Sequence, residues 1–101
     1  MENTIAQTIL AQLGGKRFLA MTGAKNLLAG EDYLAMSLPG SLTKGRVNKI
    51  RIRLAADDTY TLDTFKLDRH VSLAPVRTMS GVYVENLRAI FTEMTGLAVS
   101  L

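Results

Sequence analysis

The glycines and lysines at residues 14–16 and 23–26 are the residues of this chain whose types could grip a phosphate. A phosphate loop of the G-x-x-x-x-G-K-[ST] kind converges backbone N–H groups on the phosphates, reaches the outer ones with its lysine and binds magnesium through a hydroxyl. Gly15-Lys16 has Leu10 where the first glycine belongs and Arg17 where the hydroxyl belongs, and Gly23-Ala24-Lys25-Asn26 contains no Gly-Lys pair. Neither stretch meets the spacing. A dinucleotide site is unsupported too, because no G-x-G-x-x-G occurs.

Other chemistry is equally sparse. His70 is the one imidazole and there is no cysteine, which excludes multi-histidine and thiolate zinc sites. Asp57-Asp58 has the residue types for an acid and base pair or a divalent cation, but adjacent aspartates between two strand patterns read first as a hairpin tip using Asx hydrogen bonds. A serine nucleophile needs an oriented base, and nothing sets His70 or a lysine beside a serine. The expectation is a protein that is not an enzyme and carries no metal or cofactor.

Charge is the remaining signal. Lys44, Arg46, Lys49, Arg51 and Arg53 crowd together, and no acidic residue occurs between Asp32 and Asp57, although 12 basic residues stand against only 9 acidic ones overall. Such a stripe has three readings: a solvated sheet face, a track for a phosphate backbone, or a dock for an acidic protein surface. Aromatic residues make up only 6% and tryptophan is absent, so a stacking platform for single strands looks thin.

The elements that must position these residues follow from pattern. Thr4 and Gln7 read as a capping box, and Ile5, Ile9, Leu10 and Leu13 recur at the helical period until Gly14-Gly15. This predicts a helix over 4–13. Arg17 to Thr22 and Tyr33 to Leu38 read as strands, with Gly23 to Asp32 as a long connection in which Leu27 and Leu28 either tuck under the sheet or extend one strand; exposed, they would mark a partner or oligomer contact. Pro39 should end the second strand.

Lys49 to Leu54 is the clearest strand, with Ile50, Ile52 and Leu54 alternating against Lys49, Arg51 and Arg53. Thr59 to Leu67 returns the chain. Pairing Ile52 with Leu62 also sets Arg51 opposite Asp63, while the changed parity of Phe65 and Leu67 predicts a bulge near Asp63-Thr64 or burial of both faces. A short edge strand is expected at Val71 to Leu73, before Pro75. Ser80 reads as the N-cap of a last helix carrying Tyr83, Leu87, Ile90, Phe91 and Met94, which Gly96 ends with Leu97 packed back. No internal repeat or interdomain linker is evident.

A length of 101 residues with 48% hydrophobic content suits a single domain, 1–101. Two amphipathic helices at the chain ends need one apolar sheet face between them. The predicted fold is an α+β two-layer sandwich, a mainly antiparallel sheet of four or five strands with the terminal helices on one face. No basic n-region precedes an apolar core near the N-terminus, and no apolar run approaches the ~18 residues of a membrane span. With no cysteine, the expected compartment is the cytoplasm.

TIAQTILAQLGGKRFLAMTGAKNLLAG at one end and GVYVENLRAIFTEMTGL at the other resemble a family of small bacteriophage- and mobile-element-encoded proteins with no assigned activity. The resemblance implies expression inside a bacterial cell and supplies no catalytic residue. Small phage-encoded domains of this sort commonly act by binding. The expected function is therefore a non-enzymatic accessory protein that binds nucleic acid through Lys44, Arg46, Lys49, Arg51 and Arg53, with Lys25 as an addition. The alternative is an inhibitor of a host defence complex of the restriction or CRISPR type, and a homo-oligomer is compatible with either.

Overall fold

The structure, a computed structural model, describes residues 4–67 and 73–97. Two helices, α1 (Thr4–Leu13) and α2 (Lys16–Thr22), precede five strands, β1 (Lys25–Ala29), β2 (Tyr33–Ser37), β3 (Lys49–Leu54), β4 (Tyr60–Leu67) and β5 (Leu73–Val82); α3 (Leu87–Thr95) follows them. The strands form one antiparallel meander in chain order. Helices from both chain ends cover one face, as the end-helix pattern requires.

The core lies between the layers. Ile9 and Leu13 of α1, Phe18 of α2, and Leu87 and Phe91 of α3 are fully buried, together with Ile52 and Leu62 of the sheet. Burying each such side chain is worth roughly 1.5–3 kcal/mol relative to leaving it in water. Tyr60 ties α1 to the sheet by donating its hydroxyl to Gln12 Oε1 at 2.6 Å.

The second element departs from expectation. Arg17 to Thr22 is helix and not strand, because the run suits either state locally and burial decides: Phe18 sits fully buried with its ring 5.0 Å from that of Phe91 in an edge-to-face pair at 71°. The strand expected there lies within the supposed connection instead, as β1, so the first hairpin turns at 30–32. Leu27 and Leu28 extend the sheet, with 42% and 59% of their surface exposed.

Contrary to the expectation of no internal repeat, the chain carries a short one. F-x-x-M-T-G occurs at Phe18–Gly23 and at Phe91–Gly96, and each copy ends a helix the same way. Thr22 donates to the Phe18 carbonyl and Thr95 to the Phe91 carbonyl, both at 2.8 Å, while each threonine oxygen accepts the N–H two residues on, from Ala24 or Leu97, at 3.2 Å. Gly23 and Gly96 take the left-handed conformation, φ 74° and 79°, that closes the end. The phenylalanines that open the two copies are the ones that meet in the core.

β3 keeps its expected bounds, and the pairs Ile52↔Leu62 and Arg51↔Asp63 form. β4 is buried on both faces from Tyr60 to Thr64, and its pairing with β5 slips between Thr64 and Phe65 as the parity change foretold. β5 runs past Pro75, which an edge strand tolerates. Ser80 therefore lies in β5 and caps nothing. A 3₁₀ turn at Val84–Asn86 leads into α3, leaving Tyr83 outside it and exposed. His70 and Val71 lie outside the described residues. Thr4 and Gln7, expected to form a capping box, both lie within α1.

Candidate nucleic-acid interface

Residues paired across neighbouring strands share a face, so the register assembles the outer side of the sheet row by row. One row runs Lys25, Ser37, Lys49, Phe65, Pro75; the next runs Leu28, Ala35, Arg51, Asp63, Thr78; a third holds Tyr33, Arg53 and Thr61. This face is the one turned away from the helices. Lys49, Arg51 and Arg53 stand along β3 at intervals of ~7 Å, twice the strand rise.

Asp63 organises the stripe. It is 6% exposed, its Oδ2 lies 3.2 Å from Arg51 Nη2 and 3.7 Å from Arg53 Nη2, and its Oδ1 accepts from the Thr78 hydroxyl at 2.8 Å. One carboxylate thus holds two guanidinium groups that remain 40% and 44% exposed. The Arg51 guanidinium also sits 5.6 Å from the centre of the Phe65 ring, within cation–π range. Lys49 Nζ donates to Ser37 Oγ at 3.3 Å.

Not every basic residue of the stripe joins this face. Lys44 turns to the helix layer, where its Nζ donates to the Glu93 carbonyl at 3.0 Å in the last turn of α3, the end of a helix that favours a cation. Arg46 is exposed in the same 3₁₀ turn, Lys44–Arg46, before β3 begins. Lys25, from the first hairpin, does reach the outer face, in line with Ser37 and Lys49.

Two aromatic residues were missed as site candidates. Tyr33 and Phe65 line an open groove of about 240 Å³ with Leu28, Ala35, Lys49, Arg51 and Leu73 on the outer face. The alternation in β2, with Leu34 and Met36 buried, was the available signal for Tyr33, and the parity change in β4 was the signal for Phe65. Gly30 seats the tyrosine, since a methyl group there would occupy the space of its ring.

The aspartates at the hairpin tip behave as turn formers. Asp57 Oδ1 accepts both the backbone N–H of Thr59, at 3.2 Å, and its hydroxyl, at 2.6 Å, and these bonds lower the Asp57 pKa. Among the described residues, no three His, Cys, Asp or Glu side chains gather to hold a metal ion, and no helix is long and apolar enough to cross a membrane. Comparison with family models, curated proteins and solved structures finds no match to this chain.

Proposed function

We propose that this chain is a non-enzymatic accessory protein of phage or mobile-element type that binds nucleic acid through the outer face of its sheet, in the cytoplasm of a bacterial host. The observation that carries the reading is the alignment of Lys25, Lys49, Arg51 and Arg53 on the face opposite the helices, around Asp63. Cations spaced along a strand neutralise phosphates and release counterions, which makes affinity steeply salt-dependent. The origin and compartment rest on the resemblance of the two end motifs.

The test uses Lys49→Gln combined with Arg53→Gln, substitutions on exposed or half-buried side chains that leave Arg51 with Asp63. Wild-type protein should shift a labelled oligonucleotide at low salt, and the double variant should flatten the slope of log K against log salt by about 2. Absence of any shift by the wild type at low salt would refute the reading.

A second reading is carried by Leu27 and Leu28, exposed on the edge strand. Apolar side chains beside a cationic face also suit an acidic host protein, as an inhibitor of a defence complex requires. On that reading a tagged copy retains one particular restriction or CRISPR complex after nuclease treatment, and Leu28→Asp releases it.

A further inference from the structure

We infer that the nucleic acid is single-stranded, with an unpaired base entering the groove between Tyr33 and Phe65 while its phosphates lie on Lys49, Arg51 and Arg53; this rests on the nucleic-acid reading above. The sheet edges argue for a partner on the face. β1 is blunted by Lys25 and by a bulge in which Asn26 takes φ 56°, and β5 carries Pro75 and a left-handed Gly81, so neither edge is a clean template for strand addition. A second copy laid face to face would set these cations against their own kind. The occupant is therefore anionic.

The groove adds the second requirement. At about 240 Å³ it is smaller than the ~300–1,000 Å³ of small-molecule sites, a size for one flat ring or side chain at a time. Its lining combines aromatic and aliphatic side chains, among them Tyr33, Phe65, Leu28 and Leu73, with the cationic Lys49 and Arg51. Duplex nucleic acid turns its phosphates outward and keeps its bases stacked, so it would meet the cations and leave the apolar side chains uncovered. A single strand offers charge and a bare π-face together, and every base has such a face.

Fluorescence anisotropy with a short labelled oligothymidine and a duplex of equal length decides the matter. The single strand should bind the wild type at least ~10-fold more tightly than the duplex, and Phe65→Leu, which keeps an apolar side chain, should weaken single-strand binding by between about 5- and 100-fold while leaving duplex binding unchanged. The chain has three tyrosines and no tryptophan, so tyrosine emission is a second readout. Oligothymidine should quench it, and Tyr33→Phe should remove most of the quenching while keeping the affinity. Equal binding of both forms with no effect of Phe65→Leu overturns the inference and leaves charge-driven binding standing. Binding of neither form overturns both readings. Tighter binding of polyglutamate than of oligothymidine overturns them in favour of an acidic protein partner.

Discussion

Arg51 and Asp63 stand directly opposite each other on β3 and β4, and the carboxylate that receives the Arg51 guanidinium at 3.2 Å also receives Arg53 at 3.7 Å. Both arginines are more than a third exposed, so solvent screening keeps each pair weak, at up to ~1 kcal/mol. The effect of the arrangement is mainly orientation: two cations are held on the outer face at fixed places.

Asp63→Asn keeps the shape and an acceptor for Thr78 but removes the charge that both arginines face. Urea unfolding should show a loss of about 1 kcal/mol, the scale of screened ion pairs plus repulsion between the released guanidinium groups. Because the face gains one net positive charge, affinity for a single-stranded oligonucleotide should rise at low salt and converge on the wild type as salt increases. A fall in affinity would mean that orientation by Asp63 outweighs its charge.

The paired helix ends make a prediction about stability. Thr95 is fully buried and its hydroxyl serves two backbone groups, the Phe91 carbonyl and the Leu97 N–H. Thr95→Val should cost about 1–3 kcal/mol by leaving buried polar groups unpaired, and Thr22→Val a comparable amount. A double-mutant cycle of Phe18→Leu and Phe91→Leu should return a coupling of ~0.5–1.5 kcal/mol for the edge-to-face pair.

Stability should decline in strong alkali through Tyr60. Burial raises this phenol above its ordinary 10.0. The folded state therefore holds the proton to higher pH than the unfolded chain does, so the contribution is fully present below pH 10.0 and is lost as pH rises through the folded value. Tyr60→Phe should flatten the denaturation midpoint against pH in that range, while also losing the bond to Gln12. Asp57 acts oppositely. Its bonds to Thr59 lower its pKa below 3.8, so its contribution is present above that value and fades as acid protonates it.

Gly30 and Tyr33 link the first hairpin to the groove. Gly30 donates its N–H to the Tyr33 carbonyl at 2.9 Å, and the tyrosine ring lies where a methyl on Gly30 would project. Gly30→Ala should shift the ring, with a stability change under ~1 kcal/mol because a half-exposed side chain can swing aside. Single-strand affinity should nevertheless fall towards that of Tyr33→Leu. Unchanged affinity alongside a perturbed ring, seen by NMR of the tyrosine, would remove Tyr33 from the binding face.

Much of the frame is written locally in the chain. The alternation of Ile50 and Ile52 with Lys49, Arg51 and Arg53 defines β3 and its two faces, and the match of Arg51 with Asp63 sets the register to β4. The period of Leu87, Ile90, Phe91 and Met94 with Gly96 defines the end of the last helix. These are near-neighbour patterns, so the sequence by itself determines them, along with the α+β class and the cationic character of one sheet face. Phe18 to Thr22 suits helix and strand alike, and the contact with Phe91, far along the chain, decides for helix. Whether Leu27 and Leu28 tuck under the sheet or extend a strand stays open in the sequence, and pairing with β2 decides for the strand. Lys44 belongs to the basic run in sequence but to the C-terminal end of α3 in space. The groove gathers Leu28, Tyr33, Phe65 and Leu73 from four strands, and only the tertiary structure could place them together, because their proximity depends on how the strands pair and not on the spacing of residues along any one of them.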